Sequence, residues 1–143
     1  MTFSNPPFER IVELLRSART IAVVGLSADP TRPSHRVARA MQRHGYRIVP
    51  VNPHLSSWQD ASVAATLDAA VAQLASGERI DIVNVFRRPE HVVPIVADCL
   101  RLGLPALWLQ LDVIDERAAL RGREGGMTVV MDRCIYVDRA SLE

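Results

Sequence analysis

Five short apolar runs, most of them separated by stretches with helical periodicity, limit what this chain can fold into more than any other feature of its sequence. The runs are Thr20–Val24, Arg47–Val51, Ile80–Phe86, Ala106–Leu109 and Met127–Met131. They show little polar–apolar alternation, as expected of strands covered on both faces, and with intervening helices they predict an α/β domain on a mainly parallel sheet. A helix is expected over Phe8–Arg16, where Phe8, Ile11, Val12 and Leu15 share a face. A second follows Pro33, with Val37, Ala40, Met41 and His44 at helical spacing and Gly45 as its left-handed cap. The alanine-rich segment Asp60–Leu74 reads as a third and Pro89–Leu102 as a fourth, with Pro94 near its start. Asp115 is placed to cap a fifth that runs to Glu124, and Cys134–Val137 reads as a short extended piece.

Length and charge narrow the function classes. A chain of 143 residues suits one domain spanning residues 1–143, with no second substrate domain. Seventeen basic and 16 acidic residues leave a net charge of +1, which points to neither nucleic acid nor an anionic membrane as partner. Two cysteines, Cys99 and Cys134, and an N-terminus without an apolar leader pattern lead us to expect a cytoplasmic protein. All 17 basic residues are arginine, so Schiff-base catalysis, a pyridoxal phosphate anchor and the lysine-containing phosphate loop are excluded. Arginine still binds phosphate through its planar fork of donors.

In open parallel sheets ligands bind outside the carboxyl ends of the strands, where strand order reverses. The residues following the runs are Gly25-Leu26-Ser27, Asn52-Pro53, Phe86-Arg87-Arg88, Gln110 and Asp132-Arg133-Cys134. Gly25 permits a tight turn, and Ser27, Ser34 and the amides around Ser34, His35 and Arg36 suit a phosphate, with Arg36 and Arg87 supplying charge. A purely structural turn accounts for Gly25 equally well, since G-x-G-x-x-G is absent. The second run ends in Val51-Asn52-Pro53, without the acidic residue that holds a ribose in dinucleotide folds, and this argues against a nicotinamide cofactor. His35 is a candidate base or phosphate donor. No metal-ligand spacing and no G-x-S-x-G elbow is present.

The runs Ile21–Ser27, Arg32–Ala38, Gly45–Pro53, Val85–Arg88, Trp108–Gln110 and Val129–Cys134 resemble, in the same order, the bacterial stand-alone CoA-binding proteins. These are single Rossmann-like domains similar to the N-terminal domain of the succinyl-CoA synthetase alpha subunit. The resemblance covers Thr20 to Cys134 and departs from the family between His54 and Gly77, at the rim near the second strand. It implies a Rossmann-like three-layer sandwich of about five strands and coenzyme A as ligand. The diphosphate would lie on the loop from Gly25 to Arg36, and the adenine near Asn52 and Val85-Phe86. Ligase activity does not carry over, because the phosphorylated histidine of the synthetase belongs to a further domain. The function expected is binding of CoA or an acyl-CoA, non-catalytic or regulatory, with the protein partner left open. The alternatives are a small enzyme using Cys134 or His35 on an acyl-CoA or nucleotide, and a nucleotide-sensing interaction module. Cys134 has two readings: an inert core residue, which its apolar surroundings favour, or a thiol activated by Arg133 that meets the CoA sulfur. Cys99, in line with Ile95, Val96 and Leu102, is expected in the core.

Overall fold

A computed structural model describes residues 2–142. In chain order its elements are α1 (Phe8–Ser17), β1 (Thr20–Val24), α2 (Pro33–Arg43), β2 (Arg47–Val51), β3 (Ser57–Trp58), β4 (Ala61–Ser62), α3 (Leu67–Ala72), β5 (Ile82–Val85), α4 (Val92–Arg101), β6 (Ala106–Leu109), α5 (Glu116–Glu124), β7 (Thr128–Met131) and α6 (Ile135–Ala140). The main sheet has five strands in the order β2-β1-β5-β6-β7, and every pairing is parallel. The chain leaves β1 toward one edge and returns at β5 to build the other half, so strand order reverses between β1 and β5.

Successive strand residues point to opposite faces, and the apolar runs therefore feed two cores. Ile21, Val23, Ile82, Trp108 and Val130 pack under α1, α2 and α6 through Ile11, Leu15, Ala38, Met41 and Ile135. Ala22, Val24, Val83, Val85, Leu107, Leu109 and Val129 pack under α3, α4 and α5 through Leu67, Ala70, Val96, Cys99 and Ala119. The result is the expected Rossmann-like three-layer α/β sandwich. Among the described residues no helix is long and apolar enough to cross a membrane.

The elements differ from the sequence expectation in three places. The helix expected over Asp60–Leu74 is confined to Leu67–Ala72, because the Thr66 side chain accepts from Ala69 N and fixes its start. Upstream, Ser57–Trp58 and Ala61–Ser62 form a hairpin whose turn residues Gln59 and Asp60 have positive φ (51° and 65°). Trp58 is buried against the α2 side, and Ala64 bridges to Val51 at the edge of the sheet. Burial of these two residues overrides the alanine-rich composition. Second, residues Pro89–His91 form a 3₁₀ turn before α4, so Pro94 falls in the first turn of that helix, where no N–H is needed. Third, Cys134–Val137 is not extended: Cys134 is the N-cap of α6, and Ile135 is buried beneath the sheet. The Arg133 guanidinium binds both carboxylate oxygens of Asp138 across its first turn, at 2.7 and 2.8 Å.

Gly25 sits where the two halves of the sheet meet. Its φ is +89°, and a Cβ there would lie 2.4 Å from the Phe86 carbonyl oxygen and 2.9 Å from Arg87 Cδ. A left-handed backbone costs a side-chain-bearing residue about 1 to 2 kcal/mol, and the Phe86 carbonyl, fixed by Phe86 N donating to Val24 O at 2.9 Å, cannot easily withdraw. Gly45 also has positive φ (+97°) but open space around its Cα. Gly25→Ala is expected to lower the unfolding free energy by at least ~2 kcal/mol and Gly45→Ala by about half of that, as read from urea denaturation midpoints; equal losses would show that the close approach to Phe86 does not matter.

Candidate functional site

The carboxyl ends of β1, β5, β6 and β7, with the start of α2, enclose a cavity of about 810 Å³. This falls in the size range of cofactor and small-molecule sites. The cavity is built from the loop after β1 upward. Gly25 turns the chain, Ser27 N donates to Ser34 Oγ at 3.0 Å, and Asp29 N donates to Ser27 Oγ at 3.0 Å. Thr31 N and Oγ1 both donate to Asp29 Oδ1, at 2.9 and 2.8 Å. These two bonds, the backbone one foremost, hold the Asp29 carboxyl below the usual aspartate range. The loop is thereby fixed although it contains Pro30 and Pro33.

Pro33 opens α2, and no side chain caps its first amides. The positive end of the helix dipole and those N–H groups favour an anion at this point. Arg32, Arg36, Arg87 and Arg88 line the same cavity, against one carboxylate, Asp112. Arg36 donates to the Thr31 carbonyl and so lies along the loop. Arg87 also lines a smaller cavity of about 210 Å³ with Pro53, Thr66 and His91, so its side chain divides two adjoining spaces.

At the far side, Gln110 follows β6 and is only 6% exposed. Its Oε1 accepts from Asn84 Nδ2 at 3.2 Å and from Ile135 N at 3.3 Å. Asn84 Nδ2 also donates to the Trp108 carbonyl at 3.3 Å. Leu111, Val113 and Cys134 complete this end of the cavity. The positive φ of Asp112 (67°) and Asp132 (59°) folds the two loops together, with Asp112 N donating to Asp132 Oδ1 at 2.8 Å.

Of the residues singled out from sequence, Gly25, Ser27, Ser34, Arg36, Phe86, Arg87, Arg88, Gln110 and Cys134 line the cavity. The others lie outside it. Leu26 and Val85 are core residues on opposite faces of the sheet. Asn52 is held by the fold, its Nδ2 donating to the Leu26 carbonyl at 2.9 Å and its Oδ1 accepting from His54 N at 2.8 Å. Pro53 borders the smaller cavity. His35 Nδ1 lies 2.9 Å from the Ser27 carbonyl and 3.3 Å from Trp58 Nε1. One nitrogen cannot donate to the carbonyl and accept from the indole at once, and the shorter contact assigns the proton to Nδ1. His35 thus braces the loop. Arg32, Pro33, Val37, Pro89, Leu111, Asp112 and Val113 line the cavity without having been singled out. Leu111, Asp112 and Val113 follow β6 directly, and extending the strand-end reading by three residues finds them. Among the described residues no three His, Cys, Asp or Glu side chains group to hold a metal ion.

Comparison with known proteins gives a match of residues 19–140 to a family model described as a CoA binding domain. The chain is similar to the uncharacterised protein YneT of Bacillus subtilis (strain 168), at 40% identity over 136 residues, covering 95% of this chain and 96% of that protein. Among solved structures it is similar to cell-free ID.343 from Thermus thermophilus, with a TM-score of 0.86 and 32% identity over 96% of this chain and 100% of that one. The dinucleotide-forming acetyl-coenzyme A synthetase 1 of Ca. Korarchaeum cryptofilum shares the fold, with a TM-score of 0.63 and 19% identity over 81% of this chain and 27% of that much longer one.

The two cysteines occupy different environments. Cys99 is buried between α4 and the sheet, and burial pushes its thiol up to about 12. Cys134 is half-buried and borders the cavity, which removes the reading of it as an enclosed core residue. The Arg133 guanidinium expected to activate it is instead bound to Asp138. A thiol reagent added to the native protein at pH 8 should modify one equivalent quickly, and Cys134→Ser should abolish that phase while Cys99→Ser leaves it. Fast labelling of Cys99 would contradict the burial described here.

Proposed function

From the premise that this chain belongs to the CoA-binding domain family, we propose that it binds coenzyme A in the cavity at the β1–β5 switch point and acts as a binding or regulatory module. The observation that carries this reading is the concentration of cationic groups at one end of the cavity. Arg32, Arg36, Arg87 and Arg88 meet the uncapped start of α2 there, and CoA carries a diphosphate and a further phosphate on its nucleotide half. Charge-assisted bonds from guanidinium and helix amides are the strongest available to a lysine-free chain. The apolar walls formed by Val37, Phe86, Leu111 and Val113 suit the uncharged pantetheine arm. Asn52 is committed to the fold, so the adenine end is assigned to the neighbouring space beside Pro53 and Arg87.

Binding without turnover is the reading we favour because the cavity lining offers cations, an amide, a carboxylate, a thiol and two serine hydroxyls engaged by loop amides, but no imidazole to activate a nucleophile. His35 is turned to the Ser27 carbonyl.

CoA should raise the thermal unfolding midpoint by several degrees when present at a hundredfold excess over its Kd, corresponding to roughly 2.7 kcal/mol of linkage. NAD and ATP should give smaller shifts. A shift from either of these with none from millimolar CoA would overturn the reading. Arg87→Ala should weaken CoA binding about tenfold or more, the worth of a charge-assisted contact of roughly 1.5 to 3 kcal/mol. Arg117, exposed on α5 beside a separate groove, should tolerate alanine without loss. Calorimetric titration of both variants separates the outcomes, and equal affinities would move the phosphate site elsewhere.

A further inference from the structure

Gln110 has one feature that CoA binding as such does not use. Ile135 N–H donates to its side chain, and an N–H can only donate to the amide oxygen, so the orientation of the amide is settled by the backbone of α6. Asn84 Nδ2 donates to the same oxygen and is itself tied to the Trp108 carbonyl. The NH2 group is therefore held away from both partners. Gln110 is 6% exposed and borders the cavity, and among the described residues its Nε2 has no acceptor, yet no buried side-chain nitrogen or oxygen among them lacks a partner. The small accessible surface of Gln110 thus includes the NH2, which opens into the cavity. A rigid, largely desolvated donor of this kind calls for an oxygen acceptor on the ligand.

The position of this donor says which part of the ligand it meets. The arginines that line the cavity belong to the loop after β1, the end of β5 and the start of α2, whereas Gln110, Leu111 and Val113 follow β6 and Cys134 follows β7; the cation at these two strand ends, Arg133, does not line the cavity and is bound to Asp138. A phosphate has its partners at the first end. The second end suits a neutral group with an acceptor oxygen. Resting on the CoA reading above, we propose that Gln110 Nε2 donates to the thioester carbonyl oxygen of an acyl-CoA, so that the cavity distinguishes an acylated ligand from free CoA. The thiol sulfur of free CoA is a weak acceptor and leaves this donor unsatisfied. The protein is then a reader of the acylation state of CoA, with Gln110 as the specificity-determining residue.

The test uses three ligands with the wild-type protein in calorimetric titration: CoA, acetyl-CoA, and S-ethyl-CoA, the thioether in which a methylene replaces the thioester carbonyl. Acetyl-CoA should bind roughly two- to tenfold more tightly than S-ethyl-CoA, the range for one neutral hydrogen bond. Gln110→Glu keeps the acceptor for Ile135 N and Asn84 but replaces the NH2 by oxygen. It should erase the preference for acetyl-CoA over S-ethyl-CoA, the readout being the ratio of the two affinities and not the affinity that the ligands share. Equal binding of acetyl-CoA and S-ethyl-CoA by the wild-type protein would overturn the proposal without recourse to any variant. An equal loss for CoA and acetyl-CoA in Gln110→Glu would also overturn it, because the NH2 would then read a pantetheine amide common to both; the CoA-binding reading would survive. Failure of all three ligands to bind would remove both.

Discussion

The approach of the β1 and β5 ends at Gly25 is the constraint on which the rest of the site depends. These two strands meet where strand order reverses, and the chain must turn away from β1 immediately to leave room for a ligand. With a Cβ 2.4 Å from the Phe86 carbonyl, the turn is closed to every other residue. Because Gly25 admits it, the loop after β1 runs over the sheet and delivers Ser27, Arg32 and the first amides of α2 to the same point as Arg87 and Arg88. The eight residues after β1, the first turn of α2 and the three residues after β5 are then enough to assemble a cationic end from segments far apart in sequence.

The opposite end depends on hydrogen bonds. Asn84 is 1% exposed in the middle of the sheet, where an unpaired amide costs about 1 to 3 kcal/mol. Its NH2 is satisfied by Trp108 and Gln110, and Gln110 in turn accepts from the start of α6. Trp108 Nε1 donates to the Arg133 carbonyl at 2.8 Å, and Arg133 is paired with Asp138. Two adjacent strands and the last helix are thus joined by polar groups that have no room to choose other partners. A single loss, such as Asn84 to an apolar residue, would remove one of the two donors to Gln110 Oε1 and leave Ile135 N to hold the amide alone.

Much of the architecture was legible because burial on two faces leaves a direct trace in composition. Thr20–Val24 and Ala106–Leu109 match strands β1 and β6 residue for residue, and Asp115 accepts from Ala118 N as an N-cap should. The strand-end rule also reached seven of the sixteen cavity-lining residues, from Gly25 to Cys134, without knowledge of any contact, and the expected start of α2 added Ser34 and Arg36. It failed where tertiary packing outweighs local preference. Alanine favours a helix over Asp60–Leu74, yet burying Trp58 and pairing Ala64 with Val51 requires extended chain. It also failed for side-chain direction. Asn52 follows a strand as the rule demands, but its amide completes the hydrogen bonds of the Leu26 carbonyl and His54 N–H; the number of donors a neighbouring loop leaves unmet is not written in any local pattern. The same holds for Arg133, adjacent to Cys134 in sequence and bound to a residue one helical turn further on.

The absence of lysine gives the cavity its polarity. A guanidinium is planar and keeps its charge at any physiological pH, so the cationic end cannot be neutralised by burial as an ammonium can. Four such groups on one side and an amide with a thiol on the other make the two ends chemically unlike. An elongated ligand with its charges on one half therefore has one favourable orientation, because reversing it would set phosphates against Leu111, Val113 and the carboxylate of Asp112 while leaving the arginines without an anion. Orientation is decided by charge over the length of the cavity, and this leaves the weaker, directional donor of Gln110 free to act on the neutral end alone. A hydrogen bond of modest strength can then discriminate between ligands that share every phosphate, since the charge contacts are common to all of them and cancel in the comparison.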